Sequence, residues 1–135
     1  MSGLTDHGEG LAIAGALPNG TARYVGFFTV EPTADDGTGG TEATGSGYAR
    51  KSHSAWTTTT VGEVTYGINN GAVTFTALTA DLEDIVAWGV WDAASGGNLI
   101  AFGPLLDVAG NEITQTFTSG NNPQFPDGEL KVGID

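Results

Sequence analysis

The chain has two imidazoles, His7 and His53, and His53 stands between Ser52 and Ser54. Here hydroxyl nucleophiles and a base adjoin in sequence. Nucleophilic catalysis needs the two within hydrogen-bond reach. Neighbours on an extended segment point to opposite faces, so the spacing by itself makes no Ser–His pair. No G-x-S-x-G occurs in a strand–turn–helix setting, and a hydrolytic triad is not supported. Asp35, Asp36 and Glu42 share the run ADDGTGGTE, which has a superficial likeness to a calcium loop. The D-x-D-x-D-G order of such loops is absent, and Asp before Gly ordinarily forms a turn through its own backbone. The glycines of GTGGTEATGSGY lead into an extended segment rather than a helix. They also carry a carboxylate, which repels phosphate. Glu83 and Asp84 are adjacent and diverge. Trp56, Trp88 and Trp91 have indole faces of the kind that stack on sugars. Trp88 and Trp91, however, fall on opposite faces of one strand, so at least one belongs to the core. The expectation is no catalytic residue, no metal and no cofactor.

The elements around these residues follow from composition. A chain of 135 residues suits one domain with one core. Glycine supplies 22 of them, more than twice ordinary usage. Thr and Val are frequent and Lys is scarce, so turns are many and good helix formers few. The fold class expected is all-β, an antiparallel β-sandwich or barrel of jelly-roll-like form with about eight strands. The net charge is −12, from 16 acidic and 4 basic residues. Such a chain is repelled by nucleic acid and by anionic membranes, so neither is an expected partner. Long-range attraction favours a basic surface. There are no cysteines, no signal-peptide pattern and no apolar run of about 20 residues.

Along the chain, residues 1–20 read as an arm with a short helix. Leu4, Leu11 and Ile13 lie among glycines that weaken the helix unless it docks. PNGT is a turn, and residues 21–135 then form the β domain. ARYVGFFTV is a strand apolar on both faces, hence central. A long glycine-rich loop covers 32–47. GYARKSHSAWTTTTV reads as one extended run with Tyr48, Arg50 and Ser52 on one face, and Trp56 marks its return to the core. VTYGI and AVTFTAL are strands joined through a turn at Asn70 and Gly71. LTADLEDI reads as one helical turn, with Thr79 as cap and Glu83 reaching back. IVAWGVWDAASGGNLIAFGPL is the clearest hairpin. EITQTFTSG alternates as a half-exposed strand, and ELKVGID closes the chain with Leu130 and Val132 inward.

The stretches LTDHGEGLAIAGAL, YVGFFTVEPTADDGTGGTEATGSGYAR, GINNGAVTFTAL, VAWGVWDAASGGNLIAFGPL and GELKVGID occur in that order over nearly the whole chain. Together they resemble a family of small tailed-phage virion proteins. Members are often labelled tail-fibre proteins, and related ones are described as capsid decoration or cement proteins. The most specific pieces are GTEATGSGYAR and WDAASGGNLIAFG. The chain departs from the pattern at FTSGNNPQFPDGEL. The resemblance implies an all-β structural protein without enzymatic activity, and the high negative charge argues against the capsid interior, where packaged DNA would repel it, so the outer capsid surface of the virion is the expected location. The resemblance also implies the major capsid protein as partner and a trimer at threefold or quasi-threefold positions.

On that footing the arm (Leu4, Leu11) and the glycine-rich segment (Asp35, Asp36, Glu42, Tyr48, Arg50, Lys51) are the expected partner contacts. The loop would be ordered by a neighbouring subunit, with Arg50 and Lys51 anchored to acidic groups there or to Glu42. The alternative is a tail or tail-fibre module that attaches to host-surface carbohydrate through exposed aromatics such as Trp56 or Tyr48.

Overall fold

A computed structural model describes residues 5–33 and 37–134. It is mostly β, in antiparallel sheets with one short helix. The chain forms two compact units. One comprises Met1–Arg23, His53–Val73 and Gln124–Asp135, and the other Tyr24–Ser52 and Thr74–Pro123.

In the first unit, helix α1 (Asp6–Ala16) lies on a three-stranded sheet in the order β12 (Lys131–Ile134), β5 (Val64–Asn69), β4 (Trp56–Val61). A glycine-bearing helix this short is marginal alone. It is held by burying Ile13 and Leu17 against β5. Gly67 makes room for them, since a Cβ there would come within 2.5 Å of the Ile13 side chain and 2.8 Å of Leu17. The helix has no basic residue in its last turn. Arg23 supplies the cation from outside, donating Nε–H to the Ala16 carbonyl at 2.8 Å, where the helix dipole is negative.

The opposite end of β5 is closed by Asn69, whose side chain is fully buried. Its Nδ2 donates to the carbonyls of Gly71 (2.8 Å) and Pro126 (2.9 Å), and its Oδ1 accepts from Leu130 N–H at 3.0 Å. One amide thus fixes the turn after β5 and the approach to β12.

In the second unit, the larger sheet runs β2 (Thr41–Glu42), β1 (Arg23–Val30), β8 (Ala87–Trp91), β9 (Leu99–Pro104), with β3 (Lys51–His53) also paired to β1. Residues 25–28 of β1 and all of β8 are buried, as the apolar groups on both faces predict. One face stacks Phe27 on Phe117 of β10 (Gln115–Phe117) at 5.0 Å and on Phe75 at 4.7 Å. β10 pairs with β7 (Leu82–Ile85), so this unit packs sheet on sheet. The other face carries Phe28, Ala87 and Trp91, joined by Tyr24, Leu99 and Phe102.

Several local expectations differ from the structure. The described residues form twelve strands rather than about eight, because short pairings such as β2 and the β6 (Val73–Thr74)–β11 (Gln124–Phe125) pair add to the longer ones. Asn70 and Gly71 do turn the chain, with Gly71 at φ +90°. The strands they join enter different sheets rather than pairing as a hairpin. The run from Gly47 to Val61 breaks at Ser54 and Ala55. In LTADLEDI, Leu82–Ile85 is strand and Thr79 and Ala80 before it form a bend, so there is no helical turn. Leu82 and Ile85 are both inward at a helix-like spacing of three, but Asp84 takes φ +59° and the pairing with β10 shifts register, which turns both inward along a strand.

Replacing Asn69 with Ala leaves the Leu130 amide and two carbonyls without their partner in a buried site. Urea unfolding should show a loss of about 2–3 kcal/mol, and a loss below about 0.5 kcal/mol would contradict this role.

Candidate functional site

The two most distinctive motifs of the sequence meet at one side chain. In the second unit, Arg50 donates Nε–H and Nη2–H to the two oxygens of Glu42, each at 2.8 Å, in a bidentate ion pair. Its Nη1 donates to the carbonyls of Ala93 (2.8 Å) and Gly96 (2.9 Å). The guanidinium carbon sits 4.0 Å from the centroid of Trp91, at cation–π range. The Arg50 side chain is only 7% exposed and that of Glu42 28%. Of the five N–H donors of a guanidinium, four have protein acceptors.

Local sequence sets up each part. Gly45, Ser46 and Gly47 all take positive φ, at 77°, 58° and 76°. The Ser46 hydroxyl donates to the Asp81 carbonyl at 2.7 Å, and the Ser46 carbonyl accepts from Thr79 N–H at 2.9 Å. The GSG turn is thereby pinned, and it delivers Tyr48 and Arg50 back toward Glu42. On the other side, Asp92 accepts from the Asn98 backbone and side-chain amides at 2.7 and 3.0 Å. This closes the DAASGGN turn so that the Ala93 and Gly96 carbonyls reach the guanidinium. Tyr48 completes the set. Its hydroxyl donates to Glu42 Oε2 at 2.8 Å and accepts from Phe27 N–H at 3.0 Å. Burial pushes the Tyr48 phenol far above its ordinary value, and the Glu42 charge adds to this against the opposing Phe27 amide and Arg50 charge.

Two strand glycines make the space. Gly26 and Gly89 are cross-strand partners. A Cβ on Gly26 would lie 2.9 Å from Trp91 and 3.3 Å from Arg50, and one on Gly89 would lie 2.7 Å from Trp91. The bare patch lets the indole lie against the sheet with the guanidinium over it.

Of the residues expected to touch a partner, Glu42, Tyr48 and Arg50 are therefore brought together inside the chain. Ala43, next to Glu42, is buried and donates its N–H to the Phe27 carbonyl at 2.9 Å. The segment from residue 37 to Gly47 is held by its own unit through these contacts. Lys51 is exposed at the start of β3, and Leu11 is 64% exposed on α1. Leu4, Asp35 and Asp36 lie outside the described residues. Trp91 and the Ala93 and Gly96 carbonyls are parts of the site that the sequence reading missed. The signal for Trp91 was present in Gly26 and Gly89, since a glycine inside a buried strand marks a close approach. Among the described residues, no three carboxylate or imidazole groups converge as a metal site. Trp56, Trp88 and Trp91 are all buried, at 3%, 9% and 6% exposure.

The surface of this unit is strongly acidic in places. Partial burial, and then the Glu112 charge, push the Glu31 carboxyl up. Asp107 is held below its ordinary 3.8, first by the Asn111 amide and also by Ala109 N–H. Its Oδ1 accepts from both at 2.9 Å, which fixes a turn that displays Val108 wholly to solvent.

The arrangement at Arg50 is a fixed cation with its anion, tying three segments of one unit together. The glycine-rich segments on either side of it are thereby parts of the framework of this unit. The family model described as Podophage GP4 fiber I protein gp80 matches residues 11–133. The chain belongs to this family, one of small tailed-phage virion structural proteins often given fibre labels. No curated protein matches the chain.

Two outcomes follow from the site. Arg50→Met strands the Glu42 carboxylate and two carbonyls and should cost about 2–4 kcal/mol. Adding Glu42→Leu should recover part of the loss, because removing both partners of a sequestered pair costs less than removing one. A single-variant loss below about 1 kcal/mol in urea unfolding would contradict the clamp. For Asp107 the folded value is depressed, so its stabilisation is complete above 3.8 and is lost as pH falls through the folded value. The Ala109 and Asn111 amide shifts should therefore titrate only below 3.8, and a midpoint above about 4.5 would contradict the bonds.

Proposed function

We propose that the chain is a decoration (cement) protein of a tailed-phage particle, seated on the outer face of the shell and bound to the major capsid protein. The observation that carries this reading is the burial of all three tryptophans in a strongly anionic chain. No indole face is left for sugar stacking, and the Tyr48 hydroxyl is bonded internally. Two of the four basic residues, Arg23 and Arg50, are also engaged within their own units. A surface dominated by carboxylates suits the outside of a particle. There it faces away from packaged DNA, disperses the particles and is drawn to basic patches of a shell protein. A scaffold that binds the assembled shell better than loose subunits stabilises the shell by mass action. The role is structural rather than catalytic.

A second reading, a tail or tail-fibre component that attaches to the host surface, is favoured by the fibre in the family's description. It would have to use exposed loops or carboxylates rather than Trp56 or Tyr48.

Quantitative mass spectrometry of purified virions separates the two. The shell reading expects a copy number near one per major capsid protein. A copy number at the level of tail components would overturn it and support the fibre reading.

A further inference from the structure

We propose that the open edge of β4 pairs with the same edge of a second copy of this chain. The two strands would run antiparallel across a twofold axis and join two three-stranded sheets into one of six strands.

β4 is an edge strand, since it pairs with β5 alone, in a continuous register from Trp56↔Asn69 to Val61↔Val64. Asn70 N–H donates to the Ala55 carbonyl at 2.9 Å. Antiparallel alternation then turns the backbone groups of residues 57, 59 and 61 toward β5 and those of 56, 58 and 60 outward. The Trp56 N–H is already taken by Asn19 Oδ1 at 3.2 Å. Among the described residues no other strand lies beside Thr58 and Thr60, and both are exposed. Edges of this kind are ordinarily blunted by Lys, Pro, a bulge or a covering segment. WTTTTV has no Lys, no Pro and no register shift.

Charge selects the occupant. Residues 52–62 contain no Asp, Glu, Lys or Arg, in a chain of net charge −12. On the sheet face shared by Thr57, Thr59 and Val61, the cross-strand neighbours are Ile68, Tyr66 and Val64, with Lys131 opposite Ile68. Among the described residues, that face of the three strands carries no carboxylate, and the acid nearest to β4 in sequence is Glu63 in the turn beyond. Two copies that repel each other elsewhere can approach here. Val61, 64% exposed, adds apolar area.

Because the Trp56 N–H is occupied, the register that satisfies the outward groups of Thr58 and Thr60 centres on Thr59. Thr58 of one copy then exchanges both its hydrogen bonds with Thr60 of the other, and the reverse. Thr59 faces Thr59 of the second copy in a non-hydrogen-bonded pair, with Cα atoms about 4.5 Å apart. Thr57 faces Val61. The contact is twofold and distinct from any threefold contact that the family resemblance implies.

The absence of cysteine makes the test clean. A Cα separation of about 4.5 Å lies within disulfide range. Under mild oxidation Thr59→Cys should give a covalent dimer on a non-reducing gel, while Thr57→Cys should not. Thr58→Pro removes an outward N–H and leaves the β4–β5 ladder intact. It should halve the native mass seen by light scattering with an unchanged circular dichroism spectrum. The proposal is overturned if Thr59→Cys fails to crosslink, if Thr57→Cys crosslinks equally, or if a folded Thr58→Pro variant keeps the native mass. Should Thr58→Pro unfold, the crosslinking pattern alone decides.

Discussion

A guanidinium withdrawn from water must have its donors and its charge answered by the protein, and in the second unit that requirement falls on Arg50. Its charge cannot be removed by deprotonation, so nearby segments must supply acceptors in fixed positions. Glu42 provides the anion, two carbonyls of the β8–β9 turn fill one nitrogen, and Trp91 offers its ring face. The two carbonyls belong to a hairpin tip whose residues 94–98 are all exposed, whereas Trp91 belongs to the buried β8. The one cation therefore converts a glycine-rich excursion and a hairpin tip into parts of a single framework. A lysine could not replace it, because a point charge lacks the planar fork that engages a carboxylate and two carbonyls together.

The glycines are the other half of this constraint. Gly26 and Gly89 bare the sheet so that an indole and a guanidinium can be layered over it, while Gly45 and Gly47 allow the left-handed turn that brings Arg50 back. Glycine usage that reads in composition as looseness is here placed where close approach or positive φ demands it. The first unit solves a similar problem with an amide. Asn69 gathers three backbone groups at the end of β5, and Gly67 lets α1 settle on the sheet.

Much of this was legible from the residues. The all-β class, the central β1, the β8–β9 hairpin, the opposed Trp88 and Trp91 and the inward Leu130 follow from alternation and turn chemistry. The Glu42–Arg50 pairing was one of two anchors expected for Arg50. What could not be read was local conformation overridden by tertiary pairing. Leu82 and Ile85 have a helix-like spacing that only Asp84 in a left-handed conformation reconciles with a strand. The turn at Asn70 and Gly71 is a genuine local signal, but nothing in it says which sheet the next strand will join. The backbone carbonyls that complete the Arg50 site carry no side-chain signature at all.

Membership of a phage virion family fits a chain whose distinctive motifs build framework. The Arg50 guanidinium is locked and shielded within its unit, and hydrogen exchange of the Arg50 Nε–H, followed by NMR, reads that shielding. The Nε–H should give a resolved signal that exchanges far more slowly than that of a free arginine, with protection lost in the Glu42→Gln variant. An Arg50 Nε–H that exchanges as fast as one on an exposed side chain would contradict the shielding.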